Sequence, residues 1–384
     1  MSYLVLDAGT TRMKAYVFDD KLNLVIRTVL PMKKKILSHG RVEQSPEEMI
    51  TSARAVIRAA YDEAAHEGVK PKLFGITNQR ETVVAWEKNT LKPIGPAIVW
   101  EDSRTKELCA HYHSWSETVR KKTGLPIDSY FSATKMLWLL DNDTAVAVAS
   151  AHKNLSFGTV DSWLLANLAE GAPHLTDTTN ASRTLLLDAP GETWDLGLCG
   201  FFRVPVTTLP KVQPSVSNFG YLKHDVCGAI LKVCAIAGDQ QASLAAISEV
   251  KGTTKITFGT GAFLMQSLGA DFKLHPGFMT TRLATTGKIC YGLEAKIEGT
   301  GAMYEEVRAD EEKSLKVLKR LSEELKVLIA KLPLKPKLIT IDGGMVQDER
   351  LASILEKTLK IKVVNQTVPD GTALGIAKLL SKSL

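Results

Sequence analysis

A chain of 384 residues is long enough for two or three domains that each bury a core. Its apolar fraction of 45% and charged fraction of 23% are typical of a globular protein and exclude a disordered, low-complexity chain. The net charge is +6, and local basic clusters such as Lys33–Lys35 are typical of a solvated surface turn rather than a nucleic-acid site.

The cysteine content and the lack of long apolar runs in the sequence indicate the cellular compartment of the protein. The five cysteines are Cys109, Cys199, Cys227, Cys234 and Cys290. An odd number without a C-x-x-C pair predicts neither a disulfide framework nor a zinc site and favours a reducing environment. Residues 1–5 enter a strand pattern at once, and no apolar run approaches the ~20 residues that span a bilayer. We therefore expect a cytoplasmic protein without a cleavable signal, a membrane partner or a nucleic-acid partner.

The predicted elements alternate along the chain. Apolar runs between turn residues predict strands at 3–6, 15–18, 24–30, 73–77 and 82–86. The first three of these strands are expected to form a meander. Ser45 begins a helix, because it can cap free amides, Pro46 fits the first helical position and Glu48 can complete a capping box. Strands and helices alternate thereafter, so the predicted fold class is α/β.

A weak internal repeat predicts two similar domains. The Gly-Thr turn in Asp7–Thr11 lies between two strand patterns, and so does the one in Thr257–Gly261. Each turn would face a shared cleft. We place the boundary near residues 236–252 and divide the chain into 1–240 and 241–384.

An apolar stripe follows in the second half of the chain. Its residues are Leu318, Leu321, Leu325, Leu328 and Leu332. The spacing predicts a helix packed on its own domain, and a partner-binding helix is the alternative.

The turn after the first strand is the first candidate site. Gly9 lets the backbone approach a ligand, and consecutive amides with the hydroxyls of Thr10 and Thr11 can ring a phosphate. Asp7 can hold Mg²⁺ through water, and Lys14 can neutralise a phosphoryl oxygen. A tight hairpin with an Asp-capped turn would explain the same residues.

Two further segments place polar groups at strand ends. Arg80 and Glu81 offer donors and an acceptor suited to vicinal hydroxyls, although a local ion pair is the simpler interpretation. Asp239 follows Gly238 after a small apolar run. Beside a polyol, its carboxylate can accept the hydroxyl proton as the oxygen attacks a γ-phosphate. A helix N-cap is the alternative role for Asp239.

Glycines mark a fourth segment. Gly343 and Gly344 end a strand pattern before a helix over 348–359, where a flat base or ribose can lie against the backbone. Residues 369–377 begin a final small-residue helix that can pack closely beneath the same site. The sequence contains no G-x-x-x-x-G-K-[ST], H-E-x-x-H or G-x-S-x-G motif, which disfavours a P-loop kinase.

Together these segments resemble the FGGY family of carbohydrate kinases. The motifs are D-x-G-T-T at 7–11, N-Q-R-E-T at 78–82, V-W-E-D-S-R at 99–104, Y-F-S-A-T-K at 130–135, G-D-Q-Q at 238–241, F-G-T-G at 258–261 and D-G-G at 342–344. The resemblance covers residues 1 to about 268 and resumes near 338. Within the family, N-Q-R-E-T and Y-F-S-A-T-K resemble the branch that acts on glycerol.

The resemblance implies two actin-like (ribonuclease H-like) domains facing a central cleft, with the second domain reduced. It implies transfer of phosphate from ATP, with Mg²⁺, to a small polyol such as glycerol, with Asp239 as general base. The implied polyol-binding residues are Arg80, Glu81, Trp100, Tyr130, Asp239, Gln240 and Phe263. The implied nucleotide-binding residues are Thr10, Thr11, Lys14, Gly259 and Thr260 for the phosphates, and Gly343 and Gly344 for adenosine. Asp7 and Asp239 would lie close to the metal.

Departures from the family pattern leave other functions open. After residues 297–302 the chain is expected to pass directly into the leucine-striped helix, so the second domain is short. Lys14 stands where arginine is usual, Glu101 where glutamine is usual, and Asp348 near a usual asparagine. The alternatives are a kinase for another small polyol or sugar, and a regulatory protein that binds polyol or nucleotide with little turnover. The expected partners are a small-molecule polyol and a nucleotide, and a homodimer is compatible with the sequence.

Overall fold

A computed structural model describes residues 1–259, 261–297, 299–366 and 370–383. Its strands are β1 (Tyr3–Ala8), β2 (Arg12–Phe18), β3 (Leu24–Pro31), β4 (Lys35–Ile36), β5 (Val42–Gln44), β6 (Leu73–Asn78), β7 (Val84–Glu87), β8 (Ala97–Ile98), β9 (Leu155–Gly158), β10 (Leu175–Asp177), β11 (Leu187–Asp188), β12 (Thr193–Trp194), β13 (Lys211–Gln213), β14 (Lys232–Gly238), β15 (Thr254–Phe258), β16 (Ala262–Gly269), β17 (Met279–Arg282), β18 (Tyr291–Ile297), β19 (Leu338–Gly343) and β20 (Lys362–Asn365).

The helices alternate with these strands over most of the chain. They are α1 (Pro46–His66), α2 (Lys106–His111), α3 (Ser116–Thr123), α4 (Ser132–Asn142), α5 (Thr144–Ala151), α6 (Val160–Leu168), α7 (Thr178–Ala181), α8 (Leu196–Phe201), α9 (His224–Cys227), α10 (Asp239–Ile247), α11 (Thr300–Val307), α12 (Glu311–Ala330), α13 (Glu349–Leu359) and α14 (Gly371–Ser381). Within the described ranges, no helix combines the length and the apolar character needed to cross a membrane.

Two sheets repeat one connectivity. The first sheet has the order β14-β6-β1-β2-β3, in which β1, β2 and β3 form the predicted antiparallel meander and β6 and β14 run parallel to β1. The second sheet has the order β17-β18-β16-β15-β19-β20. Here β15, β16 and β18 form the meander, and β19 and β20 run parallel to β15. The two Gly-Thr turns therefore begin at equivalent places, after the first strand of each meander.

Alternating side chains place the first sheet between two helical layers. Leu4 and Leu6 belong to one apolar cluster with residues of α1 and α6, whereas Tyr3 and Val5 belong to another cluster with residues of α10 and α14. This is the period of two expected for a strand that is buried on both faces.

Helix α1 begins as predicted but completes its cap differently. The hydroxyl of Ser45 accepts a hydrogen bond from the amide of Glu48, and Pro46 is the first helical residue. The Glu48 carboxylate accepts instead from the backbone amide of Lys33 at 3.4 Å. The first half of the predicted capping box is thus present, and the glutamate joins the preceding loop to the helix.

Helix α14 packs on the first sheet although it follows the second in sequence. Ile376 and Leu380 share a buried cluster with Val5 and Tyr16. The close packing requires a glycine, because a Cβ added at Gly375 would lie 1.8 Å from the carbonyl oxygen of α10 residue Ala242. The division at residues 240 and 241 stays a prediction, but the packing of α14 crosses it.

The leucine-striped helix α12 covers the second sheet. Leu318, Leu321 and Leu325 are buried in one cluster with sheet residues Ile339 and Ile341. The interpretation of this stripe as a helix packed on its own domain is confirmed. The chain does not pass directly from β18 into α12, because the short helix α11 lies between them.

The contact between α10 and α14 gives a test of stability. We expect Gly375→Ala to lower the free energy of unfolding by about 1–3 kcal/mol, because the added methyl overlaps the Ala242 carbonyl and the helices must separate. Urea unfolding followed by circular dichroism measures the change. Gly200→Ala is the matched control, since a Cβ at this exposed position of α8 meets nothing within 4 Å. Equal losses in the two variants would contradict the close packing.

Candidate active site

Three neighbouring parallel strands end at the same edge of the first sheet. Asp7 lies near the end of β1, Arg80 follows β6, and Asp239 follows β14. The pairing register aligns Asp7 with Thr77 of β6, and Thr77 with Ala237 of β14. The carboxyl ends of parallel strands are where open α/β sheets bind ligands, so a ligand site is expected at this edge.

A buried network of five charged residues, called here the charge cluster, joins this edge to the second sheet. Its members are Arg80, Glu81, Arg183, Asp239 and Glu294. Arg80 donates from both terminal nitrogens to the Glu294 carboxylate, at 2.7 and 2.8 Å, and its Nε lies 3.3 Å from Asp239 Oδ1. Arg183 donates to Glu81 at 2.5 Å, and its Nη2 lies 3.3 Å from Glu294.

The local backbone explains how Arg80 reaches Asp239. A Cβ at Gly238 would lie 2.6 Å from the Arg80 side chain, so only glycine leaves room for the guanidinium stem. The Gly238 amide donates to the hydroxyl of Thr179 at 2.8 Å, which holds the start of α10 in place. Glu81 adopts a left-handed backbone with φ of 62°, a strained conformation that often accompanies functional sites.

These contacts decide two alternatives that the sequence left open. Arg80 Nε lies 3.9 Å from Glu81, farther than its contacts with Glu294 and Asp239, so a local ion pair is not its main interaction. The N-cap of α10 is Gly238 rather than Asp239. The Asp239 side chain accepts a hydrogen bond from the backbone amide of Gln240 at 2.7 Å and lies half-buried at the sheet edge.

The two acids nearest Arg80 have pKa values shifted in opposite directions. Burial raises the pKa of Glu294, but the nearby charges of Arg183 and Arg80 outweigh it and lower the pKa to about 2. Burial raises the pKa of Asp239 to about 6; Arg80 opposes this rise, while the charges of Glu81 and Asp7 add to it. Glu294 is thus a fixed charge, whereas Asp239 can exchange a proton near neutral pH.

The three aromatic residues among the implied polyol-binding residues, Trp100, Tyr130 and Phe263, come together. Trp100 donates its indole N–H to Thr10 Oγ1 at 2.9 Å and meets Tyr130 edge to face, with ring centroids 5.7 Å apart. The Lys296 ammonium lies 5.0 Å from the Trp100 ring centroid, 5.3 Å from that of Tyr130 and 5.8 Å from that of Phe263. We call the three rings the aromatic cage.

The first predicted phosphate turn is a tight hairpin turn, and the residues that flank the second are joined by a hydrogen bond. The Gly9 amide donates to the Arg12 carbonyl at 3.0 Å, and the Gly259 amide donates to the Gly261 carbonyl at 2.9 Å. Thr11 is exposed at the first turn. Thr260 lies outside the described residues. The structure thus places the first turn beside Asp7 and Trp100, as a shared site requires.

Lys14 faces two carboxylates on its side of the sheet edge. Its Nζ lies 3.3 Å from Asp7 Oδ2 and 3.4 Å from Asp370 Oδ1, at the start of α14. Burial raises the pKa of Asp7, and Lys14 opposes the rise. A cation is therefore already part of the surroundings of Asp7.

Polar contacts join Gln240 to the second sheet. Gln240 Oε1 accepts from Thr257 Oγ1 at 3.1 Å. On the same strand, the buried Lys255 ammonium lies 2.9 Å from Asp342 Oδ2, which also accepts from Ser243. These contacts fix the start of α10 against β15 and β19, the two strands that precede the glycines of the F-G-T-G and D-G-G motifs.

The glycine pair at the end of β19 has a clear backbone requirement at its first position. Gly343 has φ of 99°, and a Cβ there would lie 2.2 Å from the Phe258 carbonyl oxygen. At Gly344 an added Cβ would meet nothing within 4 Å. Gly343 is therefore required for the backbone conformation at the end of β19. The backbone at Gly344 is exposed and has open space beside it.

The negative charge of Asp348 is compensated locally. Asp348 caps α13, lies 2.7 Å from Arg350 and accepts a hydrogen bond from the Tyr304 hydroxyl at 2.6 Å. Hydrogen bonds from Arg350 hold the pKa of Asp348 well below its usual range. The aspartate that departs from the family pattern is thus paired rather than open to a ligand.

Sequence reasoning missed Arg183, Glu294 and Lys296. Glu294 had a readable signal, because a glutamate between Leu293 and Ala295 in an apolar strand needs a buried partner. Arg183 ends a run of small polar residues, T-T-N-A-S-R, that contains neither glycine nor proline and is buried throughout. No pattern in the sequence indicated the surroundings of Lys296.

Comparison with known proteins assigns the family. The profile of the FGGY family of carbohydrate kinases, N-terminal domain, matches residues 2–246. The chain belongs to this family. It is 40% identical over 317 residues to glycerol kinase 2 of Thermotoga maritima, a match that covers 80% of this chain and 63% of that protein. It is 38% identical over 335 residues to a glycerol kinase of Burkholderia pseudomallei, covering 86% and 66%.

Solved structures show the same fold. A Plasmodium falciparum glycerol kinase with ADP superposes with a TM-score of 0.92 at 26% identity, covering 98% of this chain and 88% of that one. A xylulose kinase from Rhodospirillum rubrum gives a TM-score of 0.85 at 18% identity, covering 99% and 89%, and indicates the fold alone. The predicted α/β, actin-like fold is confirmed. The chain spans about 63% of the length of the first curated relatives that it matches.

Within the charge cluster, a substitution at Glu294 should lower the free energy of unfolding most. We expect Glu294→Gln to lower the free energy of unfolding by about 3–5 kcal/mol, because two buried guanidinium groups lose their shared charge. Since the folded-state pKa of about 2 lies below the usual value, the native carboxylate stabilises at neutral pH and loses that effect as the pH falls toward 2. The difference between wild type and variant should therefore narrow on acidification.

Urea unfolding at stepped pH values measures this difference. Glu305→Gln is the control, because Glu305 forms an exposed pair with Arg308 and should cost less than about 1 kcal/mol. A loss at Glu294 that is no larger than at Glu305, or that grows on acidification, would contradict the electrostatic assignment.

Proposed function

We propose that this chain transfers the γ-phosphoryl group of ATP to a hydroxyl of a small polyol, with glycerol as the first candidate. The observation that carries the proposal is that the charge cluster, which contains Asp239, Arg80 and Glu81, contacts the aromatic cage: the Arg183 guanidinium, paired with Glu81, lies 5.4 Å from the Tyr130 ring centroid. The likeness to glycerol kinases supports the same acceptor. Because the chain spans only part of those relatives, their activity is carried over as a proposal.

Asp239 is proposed as the general base. Its carboxylate accepts the proton of the acceptor hydroxyl while the hydroxyl oxygen attacks the γ-phosphorus in line. The new oxygen–phosphorus bond forms as the bond from the γ-phosphorus to the bridging oxygen breaks, and its electron pair leaves with ADP. Arg80 holds the Asp239 carboxylate through the 3.3 Å contact.

The remaining acceptor residues have separate roles in this proposal. Arg80 and Glu81 bind hydroxyls of the acceptor, Tyr130 and Gln240 add polar contacts, and the rings of Trp100 and Phe263 pack against carbon. Because Phe263 comes from the second sheet and Arg80, Glu81 and Gln240 follow strands of the first, the acceptor would be enclosed and bulk water excluded.

The residues at the first sheet edge suit a magnesium ion. Asp7 and Asp239 are close enough for the charge of Asp7 to raise the pKa of Asp239. A divalent cation would relieve this repulsion between the two carboxylates, whose oxygens are the hard ligands that Mg²⁺ prefers. Asp7 and Asp239 would hold the ion, which when bound neutralises charge on the phosphate oxygens. Backbone and side chains of Thr10, Thr11, Lys14, Gly259 and Thr260 would contact the phosphates, and Gly343 and Gly344 the adenosine.

A second function is favoured by one observation, the short second half. The chain covers 63% of the Thermotoga maritima relative and reaches α12 after the single short helix α11. A regulatory protein that binds polyol or nucleotide with little turnover would need no more than this. Such a protein would retain binding and lose phosphoryl transfer.

ADP release from ATP, Mg²⁺ and glycerol tests the proposed function. We expect glycerol-dependent release, and we expect Asp239→Asn to reduce kcat by about 10²- to 10⁴-fold, because the amide cannot accept the hydroxyl proton. Asp225→Asn is the matched control, since Asp225 forms an exposed pair with Arg54 away from the sheet edge. No release with any small polyol from the folded protein would overturn the kinase proposal, and binding of glycerol or ADP in that protein would favour the regulatory function.

The pH profile should report Asp239. Its deprotonated form is the active base, so we expect kcat/KM to rise through a pKa of about 6 and to level off above it. Initial rates from about pH 5 to about pH 8 measure the profile. A rate that is flat or falls over this range would argue against Asp239 as the base. The residual activity of Asp239→Asn should lack the rise.

A further inference from the structure

Lys296 lies at the border of the expected acceptor site. It is two residues after Glu294 on β18 and therefore on the same face, which points toward Arg80. Phe263 is its direct partner on the neighbouring strand β16. The aromatic cage, whose three rings the resemblance assigns to acceptor binding, lies around the Lys296 ammonium.

A large cavity lies beside the same residues. It has a volume of about 950 Å³, and its lining includes Trp100, Tyr130, Glu294 and Lys296. Arg80 and Glu81, at 3% and 1% exposed, are more deeply buried than the cavity wall. Lys296 therefore lies at the border between the proposed acceptor site and a space that is large enough for a much longer molecule.

We propose that Lys296 is a specificity-determining residue that closes the far end of the acceptor site and limits the acceptor to three carbons. This inference rests on the proposed function. A three-carbon polyol is held between Asp239 and the aromatic cage. A four- or five-carbon polyol must displace the ammonium from the cage to reach the same position.

The lysine is held firmly enough to act as such a barrier. Cation–π attraction to three rings favours the ammonium in the cage. The positive charge of Lys296 also helps to lower the pKa of Glu294, so the two side chains attract each other. Displacing Lys296 would weaken both interactions.

Charge counting indicates that Lys296 restricts size rather than recruiting an anion. Among the described residues of the charge cluster and the cage, the cations are Arg80, Arg183 and Lys296 and the carboxylates are Glu81, Asp239 and Glu294, while Asp7 and Lys14 form a further pair nearby. With Asp239 in its basic form these charges balance. A neutral polyol keeps the balance, whereas an anionic acceptor would add an uncompensated negative charge next to three carboxylates.

Acceptor profiles of Lys296→Ala and Lys296→Met separate length from charge. For glycerol, erythritol and xylitol, kcat/KM is measured from ADP release with the full chain. We expect Lys296→Ala to raise the ratio of erythritol to glycerol by at least about tenfold, because truncation opens the site toward the cavity. Lys296→Met, which retains the length but not the charge, should leave the ratio within about threefold of wild type. Lys331→Ala, which changes another lysine that lines the cavity, is the control and should not change the ratio.

Two outcomes would overturn the assignment. An unchanged ratio in Lys296→Ala would show that Lys296 does not limit length. An equal rise in Lys296→Met and Lys296→Ala would show that charge rather than length sets the preference.

Titration calorimetry with glycerol and erythritol repeats the comparison without turnover. One outcome is that no ADP is released and that only Lys296→Ala gains erythritol binding. This outcome would overturn the kinase function and support Lys296 as the barrier. The opposite outcome is that ADP is released with glycerol and that erythritol binding in Lys296→Ala is unchanged. This outcome would support the kinase function and overturn the assignment of Lys296 as the barrier.

Discussion

The ion pair between Arg80 and Glu294 is the constraint on which the site depends. Arg80 follows a strand of the first sheet, and Glu294 lies within a strand of the second, so their two short hydrogen bonds fix the position of one sheet against the other. Both side chains are removed from water, and each would be costly to bury without the other. The remaining contact of Arg80, with Asp239, then places that carboxylate at the same junction.

The same pair explains why neighbouring acids behave differently. Two guanidinium groups share Glu294, which keeps it ionised, whereas Asp239 meets only the Nε edge of Arg80 and also feels the charges of Glu81 and Asp7. One arginine thus stabilises a permanent anion on one side and leaves a titrating carboxylate on the other. A fold with a single carboxylate near Arg80 could not provide both roles.

Local patterns predicted much of the fold, and long-range pairing accounts for what they missed. The meander, the Ser45 cap and the buried stripe on α12 each depend on residues within a few turns or strands, and all were readable. Arg80, Glu81 and Asp239 were identified because motif order links them. Arg183 and Glu294 escaped notice because their partners are about 100 to 200 residues away, and a sequence does not state which buried charges meet.

The place of α14 has a consequence for synthesis of the chain. This helix covers a face of the first sheet formed by Val5, Tyr16 and Ala235, yet its residues 371–381 leave the ribosome after everything they cover. Until then that apolar face is covered only in part, by α10. Exposed apolar surface on a nascent chain favours association with other chains, so the last helix to be made also removes a site of aggregation.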